Sequence, residues 1–119
     1  MAETPNNIPG KMLNLIIPDK PALYRSYMGF LQHGGLFAPT NDKFQMGDEV
    51  LLAANLPEFN EPKFLRTNVV WINSAPTSTG QPKGVGLAFG KDEESVAIKQ
   101  AIEELLPGLL LSERTTYTL

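Results

Sequence analysis

Apolar positions along this chain switch repeatedly between a period of two and a period near four, and the switches delimit its elements. Leu13, Leu15 and Ile17 alternate with their neighbours, which places them on one face of an extended segment over 12–17. Pro18 stops that strand; Asp19 stands where a helix N-cap belongs, with Pro21 in the first turn. Leu23, Tyr27 and Leu31 then recur every fourth residue, so a short helix is expected over 20–29. Gly34-Gly35 breaks the period and opens a short strand, Leu36-Phe37-Ala38, closed by Pro39. After the turn formers Asn41, Asp42 and Gly47-Asp48, a strand over 49–56 sets Val50, Leu52, Ala54 and Leu56 to one side. Beyond the turn-rich 57–62, a long strand over 64–72 turns Leu65, Thr67, Val69 and Trp71 one way. A Ser/Thr/Pro/Gly loop over 74–82 precedes Gly84 to Phe89, where large and small residues alternate. Asp92 is placed to cap a second helix, with Glu93 and Glu94 at the positive end of its dipole. Ile98, Ile102 and Leu105 form its inward stripe, Ala101 and Leu106 its edges, and Pro107-Gly108 its stop.

The expected order is strand, short helix, four strands, helix and tail. Short antiparallel strands joined by tight turns imply a mainly β fold, a small barrel or sandwich with the last helix covering an opening.

Composition narrows the function classes. The 119 residues suit one domain, and an apolar share of 42% is enough to bury a core. A formal net charge of −3 argues against nucleic acid as a partner, since that needs clustered basic groups to displace counterions. Zero cysteines exclude disulfides, zinc-thiolate sites and thiol catalysis, and fit a reducing compartment. No apolar run approaches the ~20 residues needed to span a bilayer, so no membrane insertion is expected. The polar first ten residues, with two prolines, read as a flexible arm and not as a signal peptide.

The chemistry-bearing residues do not assemble into a catalytic pattern. His33 is the sole histidine and cannot build a multi-histidine metal site; beside Gly34 it reads as a polar loop residue. No nucleophile elbow, P-loop or dinucleotide fingerprint is present. Gly84 and Gly86 lie inside a strand pattern, where small residues allow close backbone approach. Neighbouring acids such as Asp48/Glu49 and Glu103/Glu104 point in different directions on a strand or a helix, which suits a solvated face better than acid–base work. No enzyme, cofactor or metal is expected.

Four landmarks in order, Gly35-Leu36-Phe37, Gly47, Val69-Val70-Trp71-Ile72 and Gly84-Val85-Gly86-Leu87-Ala88-Phe89 followed by a helix, resemble the PilZ domain family. The segment from Leu15 to Tyr24 with Tyr27-Met28 is similar to the pilus-assembly branch of that family. The resemblance implies a six-stranded antiparallel β-barrel with a short N-terminal helix and a C-terminal helix. It divides the chain into an arm (1–10), the domain (11–106) and a tail (107–119). Most of the family bind the second messenger cyclic di-GMP through Arg-x-x-x-Arg and Asp/Asn-x-Ser-x-x-Gly, paired guanidiniums supplying bidentate donors to phosphate and stacking on guanine. This chain has three arginines, Arg25, Arg66 and Arg114, no two of them four apart. Aligned on Gly35, the second motif has Phe30 in place of the acid or amide and Gln32 in place of the serine.

The resemblance therefore implies a monomeric, non-catalytic adaptor in type IV pilus biogenesis and twitching motility that does not itself bind cyclic di-GMP. Its implied partners are the pilus assembly ATPase (PilB-like) and an EAL-domain regulator (FimX-like). Its implied location is the cytoplasm, with recruitment to the inner-membrane pilus machinery. The alternative is a direct cyclic di-GMP receptor with an atypical site. For partner contacts, Tyr24 lies off the apolar stripe of the first helix and reads as an exposed aromatic anchor, the alternative being a partly buried aromatic with its hydroxyl in water. Leu109, Leu110, Leu111, Tyr117 and Leu119 are further candidates, because disordered tails are poor in such residues, and Arg114 joins them because the resemblance extends through the tail.

Overall fold

The computed structural model describes residues 11–78 and 80–106. The expected arm (1–10), the expected tail, and with it Leu109, Leu110, Leu111, Arg114, Tyr117 and Leu119, lie outside the described residues.

The described elements follow the order that the apolar periods imply: β1 (Lys11–Ile16), α1 (Lys20–Ser26), β2 (Gly35–Pro39), β3 (Glu49–Asn55), β4 (Lys63–Asn73), β5 (Gly84–Phe89) and α2 (Glu93–Leu105). The strands form one sheet in the order β1-β3-β4-β5-β2, curled so that its two edge strands approach each other as a half-barrel. Five strands are described where the resemblance implies six. One further pairing, an isolated antiparallel bridge between Tyr27 and Leu36, lies alongside β2.

The sheet also departs from an all-antiparallel pattern. β1 runs parallel to β3, from Lys11 opposite Val50 to Ile16 opposite Asn55, while the remaining neighbours are antiparallel. A parallel pair needs a long connection, and here the chain passes through α1 and β2 before returning as β3.

Helix α1 begins as expected, the Asp19 side chain accepting from the Ala22 N–H at 2.9 Å. It ends at Ser26, short of 29, because Tyr27 leaves the helical conformation to pair with Leu36, and the Met28 N–H donates to Gly35 O. Tertiary pairing outweighs the four-residue period at that point.

The concave face holds the core. Leu13, Leu15 and Ile17 meet Val50, Leu52, Ala54 and Leu56, with Leu65, Val69, Leu87 and Phe89 completing it. Helix α2 closes one end of the half-barrel through Ile98, Ile102 and Leu106. Leu106, not Leu105, completes that stripe, as an uninterrupted spacing of four requires; Leu105 packs at the margin.

A bulge in β4 corrects the expected position of Trp71. The register passes from Val69 opposite Leu87 to Trp71 opposite Gly86, so Val70 is an extra residue. Because successive residues alternate faces, Trp71 lies on the face opposite the core-facing Val69 and Leu87. Gly86 makes room for it: a Cβ there would lie 2.7 Å from Trp71 Cβ and 2.8 Å from the buried Met28 Sδ.

Candidate functional site

The segment from Tyr27 to Gly35, between α1 and β2, is where the family's second ligand motif would fall. Gly34 there adopts a φ of +78°, which a residue with a side chain strongly disfavours. Gly35 has no room for a Cβ, which would lie 2.5 Å from Leu87 O. Between these backbone constraints and α1, Phe30 projects a ring that is 49% exposed. Gln32 is exposed and His33 half-buried.

Helix α2 lies against this segment. The Tyr27 hydroxyl donates to Glu103 Oε2 at 2.7 Å, and Lys99 Nζ stands 3.2 Å from the same oxygen. Burial, and then the bond to Glu103, push the Tyr27 phenol well above its ordinary range. The bond from Tyr27, and more weakly Lys99, hold Glu103 below the usual carboxylate range. At neutral pH the phenol keeps its proton and the carboxylate its charge, so the trio locks a helix in place and is not poised for proton transfer.

The two described arginines do not form a pair. Arg25 is exposed on α1, whereas Arg66 on β4 holds Glu49 of β3 at 3.3 Å. Arg114 lies outside the described residues.

Tyr24 is not an exposed anchor. It is 7% exposed and belongs to the core cluster with Leu23 and Tyr27, because the seven-residue helix buries two adjoining faces against the sheet. Of the expected stripe of Leu23, Tyr27 and Leu31, only Leu23 lies on that helix.

Sequence reasoning missed the apolar surface that the sheet presents on its convex side. Met12 of β1 pairs with Leu51 of β3, and Ala53 of β3 with Phe64 of β4. Met12, Ile16 and Phe64 are 59%, 73% and 55% exposed. The available signal is the 12–17 segment that contains most of β1: Met-Leu-Asn-Leu-Ile-Ile has apolar residues on both sides of its alternation, which one buried face does not require.

Among the described residues there is no group of three or more His, Cys, Asp or Glu side chains that could hold a metal ion. No described helix is long and apolar enough to cross a membrane. The model of the PilZ domain family matches residues 11–107. No curated protein matches the chain closely. The chain belongs to the PilZ domain family, whose members are in general non-catalytic binding domains tied to cyclic di-GMP signalling; no enzyme family is indicated.

Proposed function

We propose that this PilZ-domain chain is a non-catalytic adaptor in type IV pilus biogenesis and twitching motility. It docks on the pilus assembly ATPase and on an EAL-type regulator that reads cyclic di-GMP in its place. The observation that carries the reading is Phe30, a half-exposed aromatic ring where a ligand-binding relative has an acid or amide. Two features add to it. Arg25 and Arg66 stand on separate elements, with Arg66 committed to Glu49, so among the described residues no guanidinium pair offers itself to a bis-phosphate. The convex face also exposes Met12, Ile16 and Phe64 across neighbouring strands, the kind of surface that protein partners cover. Leu109, Leu110, Leu111, Arg114, Tyr117 and Leu119 are proposed as further partner contacts, in the cytoplasm at the inner-membrane machinery.

Calorimetry and co-elution test this together. The purified chain is expected to give no heat with cyclic di-GMP and to co-elute with the assembly ATPase. Micromolar binding of the dinucleotide overturns the reading in favour of a direct receptor. Failure to co-elute with either partner removes the adaptor role.

A further inference from the structure

Helix α2 closes one end of the half-barrel, and among the described residues the other end is open. There the 40–48 loop and the two ends of the 74–83 loop border a cavity of about 410 Å³, within the range of small-molecule sites. Phe44, Ile72 and Val85 supply its apolar lining. Ile72 faces that way because of the β4 bulge: it pairs with Val85, one step along from Trp71 and Gly86, and is still 40% exposed. Lys43 and Lys83 line the same cavity, and neither ammonium is in an ion pair with a described residue. One carboxylate, Asp42, also lines it, so the formal charge of the lining is +1. A second hollow of about 470 Å³ adjoins it and shares Thr40 and Lys83.

The loop across this opening is held in advance. Lys11 Nζ donates to Lys43 O at 2.7 Å, stands 3.4 Å from Asp48 and lies 4.7 Å from the centre of the Phe44 ring. The Gln45 N–H donates to Asp48 Oδ2 at 2.9 Å, and the Gly47 N–H to Val69 O at 2.8 Å. An apolar floor, two uncommitted ammonium groups and a pinned wall together select a ligand with an apolar body and an acidic head. We propose that the open end of the half-barrel binds a small amphipathic anion, its apolar body against Phe44 and Ile72 and its acidic group between Lys43 and Lys83. This site is separate from the Tyr27–Gly35 segment and does not depend on the adaptor reading.

Octanoate is the probe, titrated into the full-length, nitrogen-15-labelled chain and followed by amide shifts. Saturating shifts are expected at residues 40–45, 72–74 and 83–85. Octanol, which has the same body without the charge, is expected to bind about fivefold more weakly or worse, as is the K43Q/K83Q double variant. An unchanged melting temperature of that variant shows that the fold is kept. Equal binding of octanol, unchanged affinity in the double variant, shifts centred on Met12, Ile16 and Phe64, or no saturation at millimolar octanoate each overturns the proposal.

Discussion

The Tyr27 hydroxyl and the Glu103 carboxylate meet at 2.7 Å although 76 positions separate them in the chain. Tyr27 is also the C-cap of α1, its N–H donating to Leu23 O at 2.9 Å, and it forms the bridge to Leu36 of β2. One residue thus ties the first helix, an edge strand and the last helix together.

That relationship sets a pH dependence. Glu103 is depressed in the folded state, so its contribution is complete above the unfolded carboxylate value, about 4.3, and is lost as pH falls through the folded value. Tyr27 is raised, so its contribution is complete below about pH 10 and is lost as pH rises toward the folded value. Tyr27→Phe removes the alkaline dependence, leaves only the weaker Lys99 part of the acidic one, and lowers stability at pH 7 by about 1 kcal/mol. Urea midpoints of both proteins from acid to alkaline pH provide the measurement. Parallel curves for the two proteins refute the assignment.

Close backbone approach makes Gly84 less replaceable than its place in a plain large–small alternation suggests. A Cβ there would lie 2.3 Å from Ala38 O and 2.8 Å from Pro39 Cα, both backbone atoms that cannot swing aside. Gly84→Ala is expected to destabilise by about 1–3 kcal/mol through displacement of β2 from β5. A thermal melt of the variant decides it; a loss below about 0.5 kcal/mol shows that the strands separate freely.

Much of this architecture was legible because alternation and helical period both report which side of an element faces apolar surroundings. Leu13, Leu15, Ile17, Val50, Leu52 and Ala54 are buried as their alternation implies, and Asp19 and Asp92 both act as N-caps. What stayed hidden depends on partners distant in sequence. The parallel pairing of β1 with β3 is a choice among strands whose patterns are equally compatible, and the extra residue at Val70 inverts Trp71 without altering composition. Tyr24 misled for a related reason: a single stripe was read on a helix that buries two faces. The convex apolar surface and the open cavity draw on three or more elements each, so no local pattern announces either.

Asp48 offers a test of how the 40–48 loop is held. Its carboxyl lies below the usual range first because the Gln45 N–H donates to it, and only secondarily because of Lys11. Lys11→Gln is therefore expected to raise the Asp48 titration midpoint only in part, leaving it below that of an ordinary aspartate. Carbon-13 carboxyl shifts followed against pH report this directly. A complete return to the ordinary value assigns the hold to Lys11 instead. Retention of the full shift excludes Lys11 from it.

Restoring half of a ligand motif separates the two halves of the recognition argument. Phe30→Asp with Gln32→Ser rebuilds the Asp-x-Ser-x-x-Gly pattern ending at Gly35, at two exposed positions where the cost to stability is about 1 kcal/mol or less. The doubly substituted chain is still expected to give no heat with cyclic di-GMP, because Arg25 on α1 and Arg66 on β4, bound to Glu49 of β3, leave the two phosphates without a guanidinium pair among the described residues. Adding an Arg-x-x-x-Arg pair ahead of β1 to that variant is then expected to bring measurable binding, since both halves would flank the same fold. Heat from the first variant alone contradicts the dependence on paired arginines and favours a receptor that holds phosphate by other groups.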